Sequence, residues 1–142
     1  MIKNIRHTGI VVSDLEASFR FYCDLLGFQI IKKMDESGEY IDNMLDLNGV
    51  DVTTVKMSAP DGQMIELLKY QSHPCKQKEY EICRIGISHL AFTVDNLDQV
   101  YDKLKAESVF FNAPPQLSPD GYAKVTFCNA PEGTFIELVE IL

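Results

Sequence analysis

The stretch HTGIVVSDLEASFRFYCDLLGF, residues 7–28, decides the fold, because a similar stretch, HLAFTVDNLDQVYDKLKAESVFF, residues 89–111, follows at an offset of 82 positions. Each stretch begins with a β-rich run and continues with an amphipathic pattern, which predicts a strand followed by a helix. Repetition at a fixed offset indicates an architecture built from two copies of one structural unit.

A second pair of similar stretches lies further along each copy. APDGQMIELL, residues 59–68, returns as APEGTFIELV, residues 130–139, at an offset of 71. Each contains a Pro- and Gly-bearing turn followed by an apolar strand. The second copy is therefore 11 residues shorter between its helix and its last strand, where loops are expected. With two further strands, each copy is predicted to be a βαβββ unit.

The element boundaries follow from local signals. In the first copy, Ser13 and Glu16 have the form of a capping box, and Gly27 indicates the helix end. In the second copy, the helix is predicted to begin at Asp95 or Asn96. The predicted strands are 5–12, 28–34, 50–57 and 64–70, then 87–94, 108–112, 123–129 and 134–141. The predicted buried helix faces are Leu15, Phe19, Tyr22, Leu25 and Leu26, then Leu97, Val100, Tyr101 and Leu104.

Composition limits the classes of partner. The chain has 142 residues, 46% of them hydrophobic, which fits one globular domain. It contains no apolar run long enough to span a bilayer and no secretory signal in MIKNIRHTG, so a cytoplasmic location is expected. The net charge of −8 argues against nucleic acid and anionic lipid as partners. A small-molecule or protein partner is left.

The four cysteines, Cys23, Cys75, Cys83 and Cys128, contain no CxxC pair. A zinc knuckle or a thioredoxin-like motif is therefore not indicated. We expect free, buried thiols.

The glutamates of the repeated turn-strand stretches are unusual in their surroundings. Strand alternation places Glu66 and Glu137 on faces whose nearest neighbours along the chain are apolar. An ionised carboxylate there costs several kcal/mol unless a charge partner is supplied. An exposed position on the solvent face of a sheet is the alternative for each glutamate, but the recurrence in both copies favours a shared role.

The histidines repeat as well. His7 and His89 begin the first strand of each copy, while the third, His73, lies in the linker. A strand histidine is either a hydrogen-bonded core residue or a ligand. If the copies pack about a pseudo-twofold axis, the histidines and glutamates provide two imidazoles and two carboxylates for a divalent cation. The cation would then be the charge partner of the two glutamates.

Together, these segments resemble the vicinal oxygen chelate superfamily, which includes glyoxalase I, methylmalonyl-CoA epimerase, extradiol dioxygenases, and fosfomycin and bleomycin resistance proteins. The resemblance covers essentially the whole chain. It implies an α+β fold in which two tandem βαβββ modules form an open, eight-stranded, cup-shaped sheet. The implied organisation is a single domain, 1–142, with modules 1–70 and 83–142 joined by the linker 71–82. A homodimer is also implied, with the site formed either within one chain or across two.

The resemblance further implies a metal site. His7, Glu66, His89 and Glu137 match the four metal-ligand positions of the superfamily. This set is similar to that of bacterial glyoxalase I, which implies nickel, cobalt or zinc, with manganese or iron as alternatives. Glu66 argues against extradiol dioxygenases, whose iron has two histidines and one glutamate. It argues modestly against the epimerases, which tend to carry Gln at this position.

The implied activity is that of a metal-dependent lyase or isomerase of the glyoxalase I type, similar to lactoylglutathione lyase. Neighbouring oxygens of a small substrate would bind the cation, and a proton would move through an enediolate. By this resemblance, Glu137 is the first candidate for the base and Glu66 the second. The alternatives are an epimerase or dioxygenase on the same scaffold, and a drug- or ligand-binding protein without turnover.

The substrate is not identified by the sequence. The basic residues are each interpreted as solvated surface charges, so no glutathione-binding pattern is found. Segment 36–48 is either a lid, with Tyr40, Ile41 and Met44 contacting a ligand, or a packed loop. Tyr122 either approaches the site or belongs to a turn. The basic residues considered are Arg6, Arg20, Lys56, Lys69 and Lys124.

Overall fold

A computed structural model describes residues 1–75 and 81–142 of the chain. The chain divides into two compact units, Met1–Lys76 and Gln77–Leu142. Each unit contains one copy of the repeat and one four-stranded sheet. The predicted linker, 71–82, includes residues 76–80, which lie outside the described residues.

The first unit follows the predicted order, with one added helix. Its sheet has the order β1-β4-β3-β2, in which β1 is parallel to β4 and the other neighbours are antiparallel. A π-helical segment continues α1. The elements are β1 (Thr8–Val11), α1 (Leu15–Phe19), the π-helical segment Arg20–Leu25, β2 (Gln29–Ser37), α2 (Glu39–Leu45), β3 (Asp51–Ser58) and β4 (Met64–Tyr70).

The second unit repeats this plan. Its sheet has the order β5-β8-β7-β6, again with one parallel pair, β5 and β8. The α+β fold class of two βαβββ modules is therefore confirmed. The elements are β5 (His89–Thr93), α3 (Leu97–Ala106), β6 (Gln116–Leu117), β7 (Ala123–Asn129) and β8 (Phe135–Ile141).

The helix starts are set by repeat-equivalent caps. The Asp14 carboxylate accepts hydrogen bonds from the amides of Glu16 and Ala17, at 3.0 and 3.1 Å. The Asn96 side chain accepts one from the amide of Gln99 at 2.9 Å. The start at Asn96 is confirmed, whereas the capping box at Ser13 was wrong. Asp14 is the residue with an extended backbone whose side chain reaches the first free amides.

The first helix covers the predicted face and buries a residue outside it. Tyr22 is fully buried, as expected, but Phe21 is also buried, while Phe19 is only partly covered. A π-helical turn has more residues per turn than an α-helix, so the 3.6-residue spacing did not hold here. In α3, which is a regular helix, Leu97 and Leu104 are buried as predicted.

One face of each sheet forms the core of its unit. On β4, Ile65 and Leu67 are buried, and on β8, Ile136 and Leu138 are buried. The alternate residues of both strands are half-buried. The glutamates lie on these half-buried faces, as strand alternation predicted. They face away from the packed core of their own sheet.

Two strand predictions need correction. The predicted strand 108–112 was wrong: Ser108 has φ 64°, and Phe111 forms only an isolated bridge before β6 at Gln116–Leu117. Pro114 and Pro115 have no amide proton to donate to a ladder, so they delay the strand. Strand β1 is also shorter than predicted, beginning at Thr8 rather than at residue 5.

The longer segment of the first copy, 36–48, is mostly a helix. Ile41 of α2 is buried and packs with Val50 and Val52, and Leu68 and Tyr70 pack against this cluster. Packing is therefore confirmed at Ile41. Tyr40 and Met44 are exposed, and their predicted ligand contacts stay predictions.

The middle of α2 is tied to the two residues that precede β3. The Asp42 carboxylate accepts hydrogen bonds from the amides of Gly49 and Val50, at 2.8 and 2.7 Å. These bonds, the one from Val50 first, lower the pKa of Asp42. The segment is therefore anchored at two points.

All four cysteines are free thiols. Cys128 is buried, and burial raises its pKa to about 12. Cys75 and Cys83 are exposed, so the expectation of burial was wrong for them. Both lie in the segment between β4 and β5, outside the strands of either sheet.

Among the described residues, no helix combines the length and apolar character needed to cross a bilayer.

Candidate metal centre

The first unit brings His7 and Glu66 together. Gly9 on β1 pairs with Glu66 on β4, and His7, two residues before Gly9, shares its face. The His7 Nε2 atom lies 3.0 Å from Glu66 Oε2, with 27% and 13% of the two side chains exposed. The pair is thus largely covered, with one side open to solvent.

The second unit brings His89 and Glu137 together in the same way. Ala91 on β5 pairs with Glu137 on β8, and His89 lies two residues earlier on the same face. The His89 Nε2 atom is 3.0 Å from Glu137 Oε2, with 35% and 23% of the side chains exposed. The four residues predicted from the sequence therefore form two equivalent imidazole–carboxylate pairs, one in each unit.

This geometry is compatible with a hydrogen bond and with shared coordination of a cation. Two ligand atoms, each about 2.1 Å from one ion and separated by a right angle, lie about 3.0 Å apart. Imidazole nitrogen and carboxylate oxygen are suitable donors for zinc, nickel and related divalent ions. Within each unit, the described residues include no group of three or more possible metal-binding side chains. Each unit thus offers two donors.

The two imidazoles differ in the hydrogen-bond partner of their Nδ1 atom. The His89 Nδ1 atom lies 3.2 Å from Ser88 Oγ, and its ring contacts Phe127 edge-to-face at 5.2 Å. The His7 Nδ1 atom is buried and has no hydrogen-bond partner among the described residues. A neutral imidazole that binds a cation through Nε2 carries its proton on Nδ1, so Ser88 is placed to fix that tautomer of His89. Ser88 was not predicted from the sequence, where its only signal was its position next to His89.

Lys56 lies beside the first pair with 31% of its side chain exposed, so its interpretation as a solvated surface charge missed the neighbouring Glu66. It lies opposite Glu66 in the β3–β4 ladder, and its Nζ atom is 3.7 Å from Glu66 Oε1. Phe127 occupies the corresponding place opposite Glu137 in the second unit. Glu66 therefore has a protein cation beside it, and both of its carboxylate oxygens are engaged.

The other candidates lie away from the two pairs. Lys124 forms an ion pair with Asp98, which raises the pKa of Lys124, and it lies on the face opposite Glu137. Lys69 lies on the face of β4 opposite Glu66. Tyr122 is exposed, and its backbone amide donates a hydrogen bond to the Asp120 carboxylate at the turn before β7. The turn interpretation is therefore confirmed.

Comparisons with known proteins place the fold and the family of the chain. The family model described as the Glyoxalase/Bleomycin resistance protein/Dioxygenase superfamily matches residues 4–138. The uncharacterised protein YaeR of Escherichia coli is 31% identical over 140 residues, covering 98% of this chain and 97% of YaeR. A probable lactoylglutathione lyase of Synechocystis is 29% identical over 135 residues, covering 94% of this chain and 92% of that protein. A glyoxalase family protein of Bacillus cereus has a TM-score of 0.90 at 20% identity, covering 100% of this chain and 96% of that chain.

Proposed function

Because this chain belongs to the Glyoxalase/Bleomycin resistance protein/Dioxygenase superfamily, we propose that it is a metal-dependent lyase or isomerase of the glyoxalase I type. Members of this superfamily commonly use divalent metals. The proposal is supported chiefly by the two imidazole–carboxylate pairs with equal nitrogen–oxygen distances of 3.0 Å. Relatives named lactoylglutathione lyase, at 27–29% identity, favour this reaction within the superfamily.

In this proposal, His7, Glu66, His89 and Glu137 hold one divalent cation, with the two pairs supplied by one chain or by two copies of it. Nickel, cobalt or zinc suits two nitrogen and two oxygen donors. The bound cation would supply Lewis-acid stabilisation of the negative charge that develops on the substrate oxygens.

Glu137 is the proposed base, which takes a proton from the carbon next to the substrate carbonyl and returns it to the neighbouring carbon. Glu66 has both oxygens engaged, by His7 and Lys56. For Glu137, the contact found among the described residues is that of one oxygen with His89. Its second oxygen is therefore the better placed of the two acids to accept a proton.

The test is metal analysis followed by a turnover assay. The protein is loaded with nickel or cobalt and mixed with methylglyoxal and a panel of thiols, glutathione included. We expect conversion of at least one hemithioacetal to its thioester, read as an increase in thioester absorbance. Glu137→Gln is the matched control, since it keeps the side-chain shape and removes the base. A loaded protein that converts no hemithioacetal would contradict the glyoxalase-type assignment and leave the superfamily membership intact.

A further inference from the structure

A row of four residues crosses the first sheet at the level of Glu66. Lys32 on β2 pairs with Lys56 on β3, Lys56 pairs with Glu66 on β4, and Glu66 pairs with Gly9 on β1. Residues directly opposite each other in neighbouring strands project from the same face of a sheet. Both lysines therefore lie on the face that carries the His7–Glu66 pair.

This arrangement is electrostatically unfavourable without a further partner. Like charges directly opposite each other destabilise a sheet. Lys56 is offset by Glu66 at 3.7 Å, but Lys32 is exposed and makes no ion pair within the described part of the chain. The nearest acid along its strand and face, Glu36, accepts a hydrogen bond from Thr54 at 3.0 Å. In a chain of net charge −8, two neighbouring lysines that share one carboxylate beside a candidate site indicate an anionic ligand.

The second sheet has no such pair among its described residues. Phe127 occupies the place of Lys56. Strand β6 has only two residues, which pair with Lys124 and Val125, so no β6 residue lies opposite Phe127 in the place of Lys32. The imidazole–carboxylate pairs are duplicated, but the lysines are not. The lysine pair therefore does not belong to the shared metal-binding design, and a substrate, which is itself asymmetric, is the natural partner for it.

We propose that Lys32 and Lys56 form an anion subsite, which binds a carboxylate or phosphate group of the substrate next to the His7–Glu66 pair. This inference rests on the proposed function, because it specifies the substrate as an anion. The ammonium groups donate charge-assisted hydrogen bonds without demanding one planar geometry, so either oxyanion fits. The Lys56 side chain is 31% exposed, so its head group is reachable from solvent.

The binding arm of the test uses the full chain and two probes, inorganic phosphate and succinate, at constant ionic strength. Backbone amide NMR shifts in β2 and β3 report binding. We expect saturable shifts with both probes and roughly a tenfold weaker affinity in Lys32→Gln. Lys33→Gln is the matched control, because Lys33 pairs with Val55 on the opposite face and carries the same charge. An equal loss in both variants would overturn the subsite in favour of general charge attraction, as would the absence of saturable shifts.

The kinetic arm separates this inference from the proposed function. The metal-loaded protein is given methylglyoxal hemithioacetals of mercaptopropionate, which is anionic, and of mercaptoethanol, which is neutral. We expect the ratio of the two kcat/KM values, anionic over neutral, to fall roughly tenfold in Lys32→Gln and Lys56→Gln and to be kept in Lys56→Arg. An unchanged ratio with good turnover would overturn the anion subsite alone. Lys32-dependent phosphate binding without any turnover would support the subsite and contradict the glyoxalase-type reaction.

Discussion

The two sheets carry the same imidazole–carboxylate pair in different surroundings. Both pairs have a nitrogen–oxygen distance of 3.0 Å. In the first unit, Lys56 lies beside Glu66, and α2 packs over the same sheet face through Ile41. In the second, Phe127 and Ser88 contact His89. The two units thus share the imidazole–carboxylate pair while the neighbours of the pair differ, which allows the two acids to have different roles.

The largest expected effect tests the division of roles between the acids. In the metal-loaded protein, Glu137→Gln is expected to lower kcat about 1,000-fold, because the base is lost, whereas Glu66→Gln is expected to lower it only about tenfold. Steady-state kinetics at saturating metal measure both, with melting curves as a check that each variant folds. Equal losses would show that the two units contribute the acids symmetrically.

The cores of the two units, by contrast, are expected to respond alike. Leu67 and Leu138 occupy equivalent places on β4 and β8, and both are fully buried. Each Leu→Ala change is expected to cost about 3 kcal/mol, from lost burial and the cavity that remains. Urea unfolding of both variants measures the loss. A cost near zero for either one would mean that the two sheets are not packed equivalently.

Helix α2 has no counterpart among the described residues of the second unit, so its packing gives an asymmetric stability effect. Ile41→Ala is expected to cost about 2 kcal/mol, since it removes the side chain that packs α2 onto Val52 and its neighbours. Tyr40→Ala is the control, because Tyr40 is exposed, and it is expected to change stability by less than about 0.5 kcal/mol. Denaturant midpoints distinguish the two. Similar effects for both variants would mean that α2 is not held by Ile41.

The contact between Ser88 and His89 distinguishes the two histidines, because His7 has no such partner among the described residues. Ser88→Ala is expected to weaken metal binding about tenfold, because the tautomer of His89 is no longer fixed. Ser88→Thr keeps the hydroxyl and is expected to bind normally. Competition with a chromogenic chelator measures the affinity. An unchanged affinity in Ser88→Ala would show that the contact with Ser88 does not distinguish His89 from His7 in metal binding.

The smallest effect concerns the pH dependence of the α2 anchor. The amides of Val50 and Gly49 lower the pKa of Asp42 in the folded chain. Its contribution to stability is therefore present above the pKa of the unfolded chain, near about 3.9, and is lost as pH falls through the lower folded pKa. Asp42→Asn is expected to be less stable at neutral pH and to lose part of the acid-induced destabilisation. Melting temperatures from neutral to acid pH test this, and parallel curves for the two proteins would contradict it.

Strand alternation and repetition predicted much of this architecture. The positions of Glu66 and Glu137 on half-exposed faces follow from a two-residue period, and Asn96 follows from capping chemistry. The π-helical turn that buries Phe21 and the delayed strand at Gln116 were missed. Both depart from the regular periods on which the predictions depend.

The sequence predicted the four candidate metal-binding residues, whereas the residues that lie beside them were missed. The pairing of His7 with Glu66 follows from the repeat, because equivalent residues recur in the second copy. Lys56 was interpreted as a surface charge because its proximity to Glu66 depends on the register of two antiparallel strands. Register is set by the apolar pattern and by turn geometry, and the predicted turn at 59–62 was not used to pair the residues of β3 and β4. The lysine pair with Lys32 depends on that same register.

The most direct test of the account is the number of metal ions bound per chain. Equilibrium dialysis against nickel or cobalt, with metal and protein quantified separately, is made on the unaltered chain and on His7→Ala and His89→Ala. We expect one ion per chain, with affinity reduced at least about 100-fold in both variants, because each pair supplies half of one ligand set. Two independent ions per chain, or a loss confined to one variant, would contradict the shared centre.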